Sequence, residues 1–147
     1  MSLLLTQQEA DALIALEKHY LGGDRFSFPS LGGSLRIPLH SLDHREEFSL
    51  DITRGNIELR KNTFQGRARK AVILARLDIG GPPHRNPDGE EVACPHLHVY
   101  REGYGDKWAF PLPASFSNHE DAWKSLFEFM DFCNISTRPT ILQELFT

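Results

Sequence analysis

Two cysteines, two methionines and two tryptophans in 147 residues already remove several kinds of protein from consideration. Cys94 and Cys133 form neither a close pair nor a zinc-type spacing, so a disulfide framework is not expected, and free thiols in a reducing, cytoplasmic compartment are. Long apolar runs are also missing. Met1-Ser-Leu-Leu-Leu lacks a basic leader and is soon interrupted by Gln7, Gln8, Glu9 and Asp11, so neither a signal peptide nor a membrane span is expected. There is no excess of positive charge: the net value is −4, which argues against indiscriminate nucleic-acid binding. No glycine loop cradles phosphate, because Gly80-Gly81 leads into two prolines and not into a helix. No Ser-His-Asp or Cys-His triad assembles by motif, and Cys94 beside Pro95 reads equally as a buried small residue or a nucleophile. No cofactor is expected.

What is present is an ordinary globular composition, 40% hydrophobic and 24% charged, sufficient for one domain over residues 1–147 with its own core. Thr6 followed by Glu9 forms a capping-box pattern, and Ala10, Leu13, Ile14, Leu16 and Tyr20 recur at helical spacing until Gly22-Gly23. Leu35 and Ile37 alternate with polar neighbours, as do Phe48, Leu50 and Ile52. Arg54-Gly55-Asn56 then turns the chain so that Ile57 and Leu59 begin a return strand. Ala68 to Ile79 is apolar on both sides near its middle and belongs at the centre of a sheet. Two turn signals, Gly-Gly-Pro-Pro and Asn-Pro-Asp-Gly, punctuate the loop from Gly80 to Ala93. A His-bearing strand follows, then a hairpin through Tyr104 that returns along Lys107 to Leu112. Last, Ser117 or Asn118 caps a helix carrying Trp123, Leu126, Phe127, Met130 and Phe132, with Glu120 and Asp121 in its first turn. The expected fold is α+β: a curved antiparallel sheet of five to six strands flanked by an N-terminal and a C-terminal helix, with the other sheet face open.

The chemistry concentrates between Gly80 and Pro113. In an extended Pro-His-Leu-His-Val-Tyr segment, His96, His98 and Tyr100 point one way, and Leu97 and Val99 point into a core. Seven basic residues between Arg54 and Arg76, set against the single acid Glu58, make a stripe that would track phosphates or form a charged protective edge. Arg60, Lys61, Arg67 and Arg69 are its candidates for substrate contact. With Arg76 beside the histidines, the set suits RNA cleavage without a metal: one imidazole takes the 2′-hydroxyl proton, another group protonates the leaving oxygen, and arginine stabilises the phosphorane. His96 and His98 are the candidate base and acid, His84 supports them, Arg76 stabilises charge, and Tyr100 orients or stacks. Tyr104, Lys107 and Trp108 would contact substrate. In a second reading His96 and His98 hold a metal, with His84 or Asp78 as third ligand. In a third, the aromatic hairpin from Tyr100 to Trp108 docks a protein. Core packing accounts more simply for Trp108 and Trp123. His19, His40, His44 and His119 read as structural or exposed.

The run LDIGGPPHRNPDGEEVACPHLHVYREGYGDKWAFPLP resembles the core of a family of small bacterial proteins of unknown function, in which a Pro-His-x-His-x-Tyr strand follows an Asn-Pro-Asp-Gly turn. That resemblance covers about Arg60 to Phe116. More distantly, the layout of strand, His-containing loop and closing Pro-His-x-His is similar to small ribonuclease toxins of toxin–antitoxin pairs, related to the RelE and barnase group. That second resemblance implies a sheet with two helices, catalysis by His96 and His98 with support from His84 and Arg76, RNA as substrate and a cognate antitoxin as partner. Asp78, Asp88, Glu90 and Glu91 near the histidines depart from such a pattern. If the protein is instead a binding module, it would be an antitoxin, an inhibitor or an accessory protein of a phage or mobile element.

Overall fold

Thr6 starts the first helix: its hydroxyl accepts the Glu9 N–H at 3.1 Å while the Glu9 carboxylate accepts the Thr6 N–H at 3.0 Å. A computed structural model describes residues 4–57, 60–117 and 121–143; the expectations placed on Glu58, Leu59, Asn118, His119 and Glu120 lie outside the described residues. Helix α1 spans Gln7–Ala15 and ends well before Tyr20. The reason is Lys18. Its ammonium donates to the helix-end carbonyls of Ile14 and Leu16 and to that of Cys133, and its backbone N–H pairs with Asn134. The chain therefore leaves the helix as strand β1 (Lys18–His19).

Next come β2 (Arg25–Ser27), β3 (Ser34–His40), β4 (Glu47–Arg54), β5 (Asn62–Ala68) and β6 (Val72–Ile79), followed by a small hairpin of β7 (His84–Arg85) and β8 (Glu91–Val92). Then β9 (His96–Val99), β10 (Ala109–Pro111), α2 (Ala122–Phe132), β11 (Ile135–Thr137) and β12 (Thr140–Leu142) complete the described order. The main sheet is larger than expected, with eight strands in the order β10-β9-β6-β5-β4-β3-β1-β11. It is also mixed, because β1 and β11 run parallel. The extra strands are two or three residues long, too short to carry a period. The hairpin after Arg54 forms, but its return strand begins at Asn62, and Ile57 lies in the connection, 96% exposed.

Alternation sorts the sheet into two faces. Ile37, Leu39, Phe48, Leu50, Ile52, Phe64, Leu77 and Leu97 enter a single core with Ala10 and Leu13 of α1 and Leu126, Phe129 and Met130 of α2. Each such aliphatic or aromatic side chain contributes about 1.5–3 kcal/mol by leaving water. Asp121 caps α2 by accepting the N–H groups of Trp123 and Lys124; Ser117, an expected cap, donates its N–H and hydroxyl to Glu128 instead. The opposite face is polar across four neighbouring strands: Arg36, then Ser49 and Asp51, then Thr63, Gln65 and Arg67, then Arg76 and Asp78.

Regular alternation fails next to the polar face of β6. Between β5 and β6 the pairing slips, so that Gly66 faces Ala75 and Arg67 faces Ile73. Leu74 is the extra residue of this bulge, and it turns into the core beside Ala75. Tyr100, whose N–H bonds the Leu74 carbonyl, follows it inward.

Candidate functional site

The register brings the histidine strand against the charged end of β6. His98 pairs with Arg76 and His96 with Asp78, so all four side chains share the polar face. Both rings are deeply covered, His96 at 2% and His98 at 0% exposure, which corrects the expectation that the open face would bare them. Two segments provide the cover. Gly80, at φ +75°, turns the chain back so tightly that a Cβ there would lie 2.3 Å from the Arg60 carbonyl oxygen. Beyond Pro82-Pro83, the β7–β8 hairpin is fastened to β10 by Asn86, whose amide exchanges hydrogen bonds of 3.0 and 2.8 Å with the backbone of Ala109. The second cover is the turn from Arg101 to Trp108, where the Arg101 guanidinium lies 4.3 Å from the Trp108 ring and Tyr104 meets that ring edge-on.

His84 arrives from β7 and completes a group of three imidazoles, its ring centroid 4.6 Å from that of His98 and 5.9 Å from that of His96. Its Nε2 is 2.7 Å from the Lys107 carbonyl, so that nitrogen carries the proton and donates. His98 directs Nδ1 at the Asp106 carbonyl at 2.7 Å, and His96 directs Nδ1 at the Ala93 carbonyl at 3.3 Å. Their Nε2 atoms both turn to one oxygen of Asp78, at 3.1 and 3.2 Å. Arg76 binds the same carboxylate at 3.1 Å and reaches Asp106 at 2.9 Å with another nitrogen. Burial works to raise the Asp78 pKa, but the contacts with His96 and His98 and the Arg76 charge together hold it well below the usual carboxylate range. Cys94 is occupied structurally, accepting from the Gly81 N–H and donating to the Asp78 carbonyl.

This group forms one wall of an open cleft of about 450 Å³. His84, His96, Arg76 and Asp78 meet Lys61, Thr63 and Gln65 there. Of the expected catalytic residues, His84, His96, His98 and Arg76 are brought together. Tyr100 is not: it is buried, and its hydroxyl accepts the Leu5 N–H and donates to the Leu5 carbonyl, each at 2.8 Å. Of the expected substrate contacts, Lys61 lines the cleft and Arg60 buttresses Gly80. Arg67 lies farther along the same face, held by Asp51, and Arg69 pairs with Glu46 at the β5–β6 turn. Tyr104 and Trp108 sit on the covering turn with Arg101, and Lys107 contributes its backbone carbonyl to His84. Trp108 is not part of the core cluster, whereas Trp123 packs against it. Asp106 was missed by motif reading, since a carboxylate in a glycine-rich turn carries no signal of a site. Among the described residues, Asp78, His96 and His98 form the one group of three such side chains whose ligand atoms all lie within 4.8 Å of one another.

A family model described as a family of unknown function, DUF6978, matches residues 5–135. The chain belongs to the DUF6978 family. That match takes in both helices, the whole cluster and the cleft of this DUF6978 protein. No curated protein and no solved structure matches it. Among its described residues no helix is long and apolar enough to cross a membrane.

Proposed function

We propose that this protein is a ribonuclease of the toxin-like kind, with the cleft beside the three histidines as its phosphodiester site. The observation that carries the reading is the meeting of Lys61, Arg76 and His84 in one open cleft at the foot of a polar sheet face. Lys61 offers an ammonium, and Arg76, oriented by Asp78 and Asp106, offers guanidinium donors to a bridging phosphate. His84 is the imidazole suited to proton transfer, because its Nε2–H is fixed by the Lys107 carbonyl and its Nδ1 is left as an acceptor. His96 and His98 have both ring nitrogens engaged within the protein, so the roles of base and acid pass from them to His84 and cleft water. In the step, His84 takes the proton of the ribose 2′-hydroxyl as that oxygen bonds to phosphorus. The bond from phosphorus to the 5′-oxygen breaks, water protonates the leaving oxygen, and a 2′,3′-cyclic phosphate remains. Arg67 and Arg36 lie farther along the same face, both paired with Asp51. In a toxin setting, a protein antitoxin would cover this surface.

The test is incubation of the purified chain with single-stranded RNA and its all-deoxy counterpart. Cleavage of RNA alone, cyclic phosphate ends, and a loss of about 10²–10⁴-fold in the His84→Ala variant are expected. Intact RNA after exposure to the folded wild type, with no growth defect on induced expression, would overturn the reading. A second reading, a protein-docking module, rests on Tyr104 and Phe110, exposed at 43% and 41% beside Trp108 at the β10 edge of the sheet.

A further inference from the structure

His96 and His98 are buried, converge on one carboxylate and offer the cleft no free ring nitrogen, so proton transfer does not explain them. We infer that Asp78, His96 and His98 are the protein ligands of a divalent transition-metal ion of the zinc–iron class, bound at the floor of the cleft.

Hydrogen bonding places a proton on Nδ1 of both rings. A backbone carbonyl only accepts, so the Nδ1 of His98 facing Asp106 and the Nδ1 of His96 facing Ala93 each carry a proton. Metal-ligating histidines are held in just this way, one ring nitrogen donating to a carbonyl and the other presenting its lone pair. At His98 a second contact favours a lone pair on Nε2. An Arg76 N–H donor lies 3.0 Å from Nε2, so a proton on that nitrogen would set donor against donor. An oxygen of Asp78 lies 3.1 Å from that same nitrogen, so a metal ion at this point would take the nitrogen and the oxygen as ligands together.

Spacing agrees with the same conclusion. Ligands about 2.0–2.2 Å from one ion, at tetrahedral or octahedral angles, lie roughly 3–3.5 Å apart. The Nε2 atoms of His96 and His98 lie 3.2 and 3.1 Å from the shared Asp78 oxygen. Two imidazoles and a carboxylate suit zinc, iron(II), cobalt or manganese better than calcium or magnesium, which take oxygen ligands. The three positions are paired neighbours on β6 and β9, so the set is rigid. Arg76 is the resident cation of the metal-free group. When an ion takes the His98 lone pair, the guanidinium keeps its bond to Asp106. His84 faces the open side from the cleft wall and is not a ligand, which replaces the three-histidine set with one that contains Asp78.

The metal is read without RNA, so this inference and the ribonuclease reading can fail separately. Full-length chain, free of any affinity tag, would be purified without chelator from cells supplied with zinc, iron and manganese, dialysed, and assayed for metal. The stripped protein would then be titrated with cobalt(II). About one equivalent per chain, a cobalt d–d spectrum more intense than that of the aqueous ion, and a metal-dependent rise in melting temperature are expected. Asp78→Ala and His96→Ala should lose all three signals, and His84→Ala should keep them. A folded wild type that retains no metal and leaves the cobalt spectrum unchanged overturns the inference whatever the variants do, as does metal loss confined to His84→Ala.

Discussion

The carboxylate of Asp78 reaches across the strand pair to Nε2 of His98 at 3.1 Å, and the histidine side chain is fully buried while that of the acid is 22% exposed. Asp78 is thus the negative centre around which Arg76, His96 and His98 are arranged. Its replacement by Asn keeps the shape but leaves the half-buried Arg76 with Asp106 as its remaining acidic partner. A loss of about 2–4 kcal/mol is expected. Urea denaturation of Asp78→Asn, in chelator so that bound metal does not contribute, measures it; an unchanged midpoint would show that the cluster contributes nothing to folding.

Tyr100 supports a different expectation. Its hydroxyl both accepts from and donates to the backbone of Leu5, just before α1, and its ring is 4% exposed. Tyr100→Phe preserves the ring and orphans one N–H and one carbonyl, for a cost of about 1–3 kcal/mol. At roughly 2–4 °C per kcal/mol for a chain of this size, the melting temperature should fall by several degrees. Cleavage of RNA should be unaffected, because this side chain is not part of the cleft. A Tyr100→Phe protein of wild-type stability and impaired activity would reverse that assignment.

The contrast between Tyr100 and His98 shows what was legible in the sequence. Period-two alternation placed His96 and His98 together, with Leu97 opposed to them, and the register kept it so. The same rule put Tyr100 on the polar face, and it failed because the bulge at Leu74 rotates both residues inward. A bulge is a property of the strand pair, so the Tyr100 segment alone holds no trace of it. The covering of the histidines was hidden for a related reason. It depends on Asn86 acting as a surrogate strand for Ala109, 23 residues away, and on the turn after β9 folding back so that Asp106 presents a carbonyl, and neither contact follows from strand periodicity. Helix α1 ended early through a tertiary contact as well, since Lys18 is an ordinary helix former until its ammonium finds three carbonyls.

Gly80 tests how far the cleft depends on its entry turn. A methyl group there would lie 2.3 Å from the Arg60 carbonyl oxygen, which is backbone, in a conformation at φ +75° that side chains rarely adopt. Gly80→Ala should destabilise the chain by about 1–3 kcal/mol. It should also displace the segment that carries Pro82, Pro83 and His84. Hydrogen exchange in β7 and β8 should accelerate, while that of β3 and β4 stays unchanged. Equal exchange in wild type and variant would mean that the hairpin is held by Asn86 alone.

Lys18 and Cys133 together set an alkaline stability profile. Burial lowers the lysine from 10.5 to about 8, and burial raises the thiol from 9.0 to about 12. Between pH 8 and 9 the unfolded chain holds the lysine proton that the folded chain has released, so stability climbs with pH by at most about 1.4 kcal/mol per unit. From 9 to 10.5 the unfolded chain also loses the thiol proton that the folded chain keeps, and the two slopes cancel. Above 10.5 the lysine contribution is complete and the thiol alone makes stability fall toward pH 12. Cys133→Ala should extend the climb to pH 10.5 and remove the fall relative to wild type, whereas Lys18→Met should abolish the climb. Urea unfolding at half-unit steps from pH 7.5 to 11 reads these differences. Parallel curves for wild type and both variants would show that neither group changes its proton affinity on folding.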